Sequence, residues 1–246
     1  EEDAKVKAAL QAALRAMEGQ LAWGERLGAA FSGISLGSIL LLVALGLAIT
    51  YGLMGVINMA HGELLMVGAY AAYGVQSLFR AYAPGFIDWY LPAAIPVAFF
   101  TAAAVGVVME RTVIRWLYGR TLETLLATWG ISLVLIQAAR VAFGAQNVEV
   151  ANPGWMSGGI EVMPNLLLPW NRIIIVGFAM FVLFLVWVLM NRTRLGMFVR
   201  AVTQNRPMAG CVGVHTARID TMAFALGAGI AGLGGVALSQ ISNVGP

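Results

Sequence analysis

Residues 31–54 read FSGISLGSILLLVALGLAITYGLM, a run of 24 positions without Asp, Glu, Lys or Arg. As a helix it rises about 36 Å, enough to cross a hydrocarbon core of about 30 Å. The uncharged stretch around it covers residues 27–62, and a second apolar segment, 64–79, follows a polar break at 58–63. Further uncharged runs occupy 89–109, 124–139, 173–191 and 221–246. One span in each predicts an all-α, polytopic transmembrane helical bundle of about six spans. Within the first, Ala44, Ala48 and Gly52 recur at every fourth position, a small-residue stripe on which another helix could pack closely.

Composition supports the same class. The 246 residues are 60% hydrophobic and 11% charged, against roughly 25% charged in soluble domains. With a mean hydropathy of +0.81, lipid must cover part of the surface. The 29 glycines and 10% aromatic content favour close-packed helices over an aromatic-girdled barrel. A lone Cys211 excludes an internal disulfide, and with His61 and His215 as the two histidines no metal site is implied. Both lysines, Lys5 and Lys7, precede residue 8, so no Gly-Lys-Ser/Thr phosphate loop can follow.

Residues 1–26 differ from the rest. They hold nine charged side chains of both signs and place Leu10, Leu14, Met17 and Leu21 on one helical face. This predicts a short soluble amphipathic helix, the remnant of an extramembrane domain, followed by a transmembrane domain over 27–246. The acidic start without Met reads as a chain cut at its N-terminus. Residues 144–171, with Asn152-Pro153-Gly154 and Met163-Pro164, are too broken for a helix and predict a loop. Arg111, Arg115 and Arg120 follow the third span, and Arg192, Arg194, Arg200, Arg206 and Arg218 the fifth. The rule that short cytoplasmic loops retain Lys and Arg puts these two loops inside, and the N-terminal helix and the 144–171 loop outside.

Chemistry has two candidate seats. The stretch Tyr51-Gly-Leu-Met-Gly-Val-Ile-Asn-Met-Ala-His-Gly-Glu63 sets two glycines, then Asn58, His61 and Glu63, between apolar spans. Polar groups at membrane depth are expensive, so they face a cavity or a partner. A helix break here would free backbone groups to line a polar path, with Asn58 capping the next helix; the alternative is an ordinary cytoplasmic hairpin with His61 and Glu63 paired structurally. In the basic loop 192–215, Met197, Phe198, Ala201 and Val202 could form an apolar helix face, and Pro207 could start a second short helix. That loop either merely sets orientation or docks a cytoplasmic partner. The run Gly227-Ala-Gly-Ile-Ala-Gly-Leu-Gly-Gly235 fits close helix packing better than phosphate binding.

The stretch from Ile39 through Ala48-Ile-Thr-Tyr-Gly-Leu-Met-Gly-Val-Ile-Asn-Met-Ala-His-Gly-Glu to Tyr70 closely resembles the first-span signature of the branched-chain amino acid type permeases of ABC transporters. The segment from Arg194 to Val214, with the glycine-rich span after it, looks like that family's cytoplasmic coupling region. Within the family, 201–206 and 237–246 look most like the urea permease subunit that carries an N-terminal extramembrane domain. The resemblance implies a bacterial inner-membrane urea importer with a second permease subunit, ATP-binding subunits and a periplasmic substrate-binding protein. It also implies further spans after Pro246. It assigns ATPase coupling to Phe198, Arg200, Val202, Thr203, Gln204, Asn205, Arg206, Met208 and Ala209, and the translocation path to 51–63.

Urea is neutral and needs amide or hydroxyl partners, for which Thr50, Tyr51, Asn58 and Gln137 have suitable chemistry, beside His61 and Glu63 in the break. A branched-chain amino acid, the alternative solute, is a zwitterion and would need charged or helix-end partners. A passive urea channel would need no docking loop. The few ionisable residues form no nucleophile, base and orienter set, so no enzyme and no cofactor is expected.

Overall fold

The computed structural model of the chain describes residues 2–163 and 166–246. Eight α-helices follow one another: α1 (Glu2–Met54), α2 (His61–Tyr82), α3 (Tyr90–Thr112), α4 (Thr121–Phe143), α5 (Trp170–Arg192), α6 (Arg194–Gln204), α7 (Arg206–Cys211) and α8 (Thr216–Ser239). Five helical stretches, from α1, α3, α4, α5 and α8, are long and apolar enough to cross a membrane. The sixth expected span, α2, has 22 residues but is more polar, because Glu63, Tyr70, Tyr73, Gln76 and Arg80 fall in it. Two of these polar side chains, Tyr70 and Gln76, are buried against neighbours.

α1 runs unbroken through position 26, where a soluble helix and a first span were expected to separate. The first proline of the chain is Pro84, so nothing in the sequence stops the helix there. The change at 26 is one of composition rather than of backbone, and Leu10, Leu14, Met17 and Leu21 are exposed. The Ala44, Ala48 and Gly52 stripe is exposed as well, and it is not the packing face. That face is formed by Ile39, Leu42, Gly46, Thr50 and Leu53, all buried. Spacing by four says which residues share a face, but Leu36, Leu40, Leu41 and Leu47 on the exposed side are as large as Ile39, Leu42 and Leu53, and the close approach of α8 at Gly46 marks which face turns inward.

α8 is the centre of the bundle, buried almost throughout between α1, α2 and α3. Its glycines permit this. A Cβ at Gly227 would meet the Gly46 carbonyl at 2.6 Å, and one at Gly232 would meet the Ala98 carbonyl at 2.8 Å. α5 lays Ala179, Val182 and Val186 against Leu42 and Ile230, and Ile175 against Ile39 and Ala237. α4 buries the small residues Thr124, Thr128, Ser132 and Ala139, and exposes Leu122, Leu126, Trp129, Leu133, Val134 and Val141.

Of the expected loop at 144–171, the described residues as far as 169 are non-helical apart from a 3-10 turn at Gly154–Met156 and contain an antiparallel hairpin of β1 (Gly159–Met163) and β2 (Leu166–Pro169), while α5 already begins at Trp170. Pro164 lies outside the described residues. The apolar run 221–246 is not helical to its end: α8 stops at Ser239, and Val244 pairs with Val148 through two backbone hydrogen bonds of 2.7 and 2.9 Å. Tyr90 and Gln76 hold this loop by donating to the Ala151 carbonyl at 2.7 and 2.8 Å. At the opposite, arginine-rich end, Leu53, Val202, Ala209, Ile219 and Ala223 form one apolar cluster joining α1, α6, α7 and α8.

Candidate functional site at a helix break

α1 ends at Met54 because Gly55 adopts φ +63°, in the left-handed region that a helix cannot continue through. The chain has no regular structure over 55–58 and turns at 59–60, and α2 begins at His61. His61 Nε2 lies 3.0 Å from the Val43 carbonyl, 11 residues before the end of α1 and so about 16 Å back along it. The connection therefore folds back into the bundle, and α2 starts inside it.

The polar groups of the break converge there. Asn58 is 4% exposed, and its Oδ1 accepts from the Ala60 N–H at 3.1 Å. It does not cap α2 as expected: Ala60 occupies the cap position, and Asn58 closes a turn before it. The Met59 N–H donates to Thr128 Oγ1 at 3.1 Å, and Ser132 Oγ donates to Glu63 Oε1 at 2.6 Å. Asn58 Nδ2, His61 Nδ1 and Glu63 Oε2 are buried atoms without a hydrogen bond among the described residues. Such groups are costly unless something pairs with them. The break thus offers an amide donor, an imidazole and a carboxylate at the N-terminal, partially positive end of a 22-residue helix.

Sequence reasoning did not single out Thr128 and Ser132. Their signal is the hydroxyl stripe Thr124, Thr128, Ser132 at every fourth position of an otherwise apolar helix. The other expected path residues lie elsewhere. Thr50 is buried, but its hydroxyl donates to the Leu47 carbonyl of its own helix at 2.9 Å. Tyr51 is 55% exposed at the arginine-rich end of α1, and Gln137 is on the exposed face of α4, so neither joins the cluster.

The basic loop forms two short helices, α6 and α7, with Pro207 in the first turn of α7. Asn205 caps α7, its Oδ1 accepting from the Met208 N–H at 3.0 Å. Val202 and Ala209 are buried and Phe198 packs beside them. Arg200, Thr203, Gln204, Asn205 and Met208 are exposed. Arg206 turns inward and makes a two-pronged ion pair with Asp220, Nη1 to Oδ1 being 3.3 Å and Nη2 meeting Oδ2.

A second carboxylate adjoins this pair. Glu110 is fully buried, accepts from Thr221 Oγ1 at 2.7 Å and from the Tyr118 hydroxyl at 3.1 Å, and faces Arg115 at 3.6 Å. The Arg206 guanidinium lies 5.1 Å from the centre of the Tyr118 ring. Burial, with the Asp220 and Glu110 carboxylates nearby, pushes the Tyr118 hydroxyl well above its ordinary range, so it remains a neutral donor. Glu110 and Asp220 were also not singled out from sequence; their signal is a carboxylate directly flanking an uncharged run, at 89–109 and 221–246.

The profile of the family described as branched-chain amino acid transport system / permease component matches residues 29–246. The chain is 30% identical over 222 residues to the high-affinity branched-chain amino acid transport system permease protein LivH of Escherichia coli, covering 87% of this chain and 70% of that one. It is 28% identical over 212 residues to the corresponding protein BraD of Pseudomonas aeruginosa, covering 85% and 69%. It is 27% identical over 217 residues to a probable permease LivH of Methanocaldococcus jannaschii, covering 85% and 65%. No solved structure matches the chain. These three relatives are named for branched-chain amino acids, so the narrower likeness to urea permeases gains no support from them. A permease component moves solute and does no covalent chemistry, which makes the chain a transport subunit and not an enzyme. With five apolar helical stretches of membrane-crossing length and a family match over 29–246, this multi-pass membrane protein belongs to the permease family of branched-chain amino acid ABC transport systems.

Proposed function

We propose that the chain forms part of the translocation path of an ATP-driven importer in a bacterial inner membrane, and that its solute is a branched-chain amino acid. The observation that carries this reading is Glu63, held by Ser132 at the N-terminal end of α2, inside the bundle. A zwitterion needs an anion for its ammonium group and a positive end for its carboxylate, and Glu63 and the α2 N-terminus supply both. A neutral urea molecule needs neither. The names of the relatives support the amino acid reading.

The exposed surface of α6 and α7, with Arg200, Thr203, Gln204, Asn205 and Met208, docks ATP-binding subunits. A second permease subunit and a periplasmic substrate-binding protein complete the importer. The arginine-rich end faces the cytoplasm, and the start of α1 lies on the periplasmic side.

The test is uptake of labelled leucine and labelled urea by cells expressing the complete importer with Glu63→Gln. Leucine uptake is expected to fall at least tenfold, with unchanged permease in the membrane. Wild-type import of urea and not leucine would sink the amino acid reading in favour of urea. Uptake that persists with inactivated ATP-binding subunits would instead point to a passive channel.

A further inference from the structure

We infer that Arg206 and Asp220 form a mechanical latch that locks α7 to α8, so that movement imposed on α6 and α7 reaches the helix break as movement of α8. The inference rests on α6 and α7 being the docking segment proposed above. Asp220 is fully buried near the start of α8, and Arg206 is the first residue of α7. Asp220 is buried while the Arg206 side chain stays 40% exposed, and such a half-open ion pair holds two helices together no better than an apolar pair of similar volume would. Stability alone therefore does not account for the charges. What a two-pronged guanidinium–carboxylate pair adds is a fixed mutual orientation, whereas apolar contacts such as Val202 and Ala209 against Ile219 and Ala223 can slide.

The latch is braced on a second helix. Thr221, next to Asp220, donates to Glu110 of α3, and Tyr118 bridges by lying under the Arg206 guanidinium and donating to the same carboxylate. A pull on α7 is thus shared between α8 and α3. From Asp220 to Gly227 is two turns of α8, about 10 Å. There the helix meets the break: a Cβ on Gly46 would encounter the Gly227 carbonyl at 2.5 Å and His61 Cε1 at 3.2 Å. α8 and His61 meet α1 at the same point, so a shift of α8 acts where the start of α2 is held.

The test uses the complete importer in nanodiscs, its other subunits freed of cysteine, with nitroxide labels on Cys211, the single and exposed cysteine of this chain, and on Met222→Cys, an exposed position of α8. A narrow distance distribution is expected with the native pair. It should at least double in width with Asp220→Asn or with Arg206→Lys, which keeps the charge but loses the fork. In the complete importer the same substitutions should lower leucine moved per ATP hydrolysed at least tenfold, while ATP hydrolysis and subunit co-purification persist. Exchanging the pair, Arg206→Asp with Asp220→Arg, should recover part of that ratio.

Unchanged label distances in Asp220→Asn, or an unchanged leucine-to-ATP ratio, would overturn the latch. Should Asp220→Asn fail to accumulate, Arg206→Lys carries both readouts, because it leaves the buried carboxylate paired. Docking is tested separately by Met208→Glu: if the ATP-binding subunits still co-purify, docking at this surface fails, and the label distances still report on the latch.

Discussion

Gly235 shows how single side chains set the packing of this bundle. A Cβ there would run into the Leu65 carbonyl and come within 2.9 Å of the Ala69 nitrogen. Both partners are helix backbone, which cannot swing aside. Gly235→Ala should therefore cost about 1–3 kcal/mol, read as a lower unfolding temperature in detergent. Gly74, on the same α2, has open space around its would-be Cβ, and Gly74→Ala should be neutral or stabilising by up to about 1 kcal/mol. Equal effects at the two positions would contradict the close α2–α8 contact. Sequence shows both only as glycine in an apolar run, because the difference lies in what stands opposite.

Among the elements, α7 depends most on local signals. It has six residues; Pro207 lies in its first turn, as the sequence leads one to expect, and Asn205 caps it. Asn205→Ala removes the acceptor for the Met208 N–H and should cost about 1 kcal/mol. Faster amide hydrogen exchange confined to α7 would report it, and unchanged exchange would refute the cap. The α1–α2 connection is the contrary case. Glycines and polar residues mark 55–63 as a break, but not that His61 reaches back to Val43. That depth comes from α8, whose glycines let α1 and α2 close around it.

For the molecule as a whole, the arginine-rich end and the 144–171 loop lie at opposite ends of the bundle, consistent with the sidedness read from charge. Cys211 provides the check, since it is exposed at the arginine-rich end. A membrane-impermeant maleimide should label it in inverted membrane vesicles and not in intact spheroplasts; the reverse pattern would invert the orientation. Hydropathy and arginine placement suffice for a helical membrane bundle, the apolar face at 197–202 and Pro207 for the α6–α7 pair, and the motifs at 39–70 and 194–214 for the family, because solvent preference, helix starts and family motifs are written in short runs of residues. Contact between distant residues is not. Asn58, His61 and Glu63 are visible as polar residues in an apolar region, but Ser132 and Thr128 join them only when α4 crosses the break. Arg206 belongs by sequence with the exposed docking residues, yet it faces Asp220, because a fully buried carboxylate on α8 draws the nearest flexible cation inward.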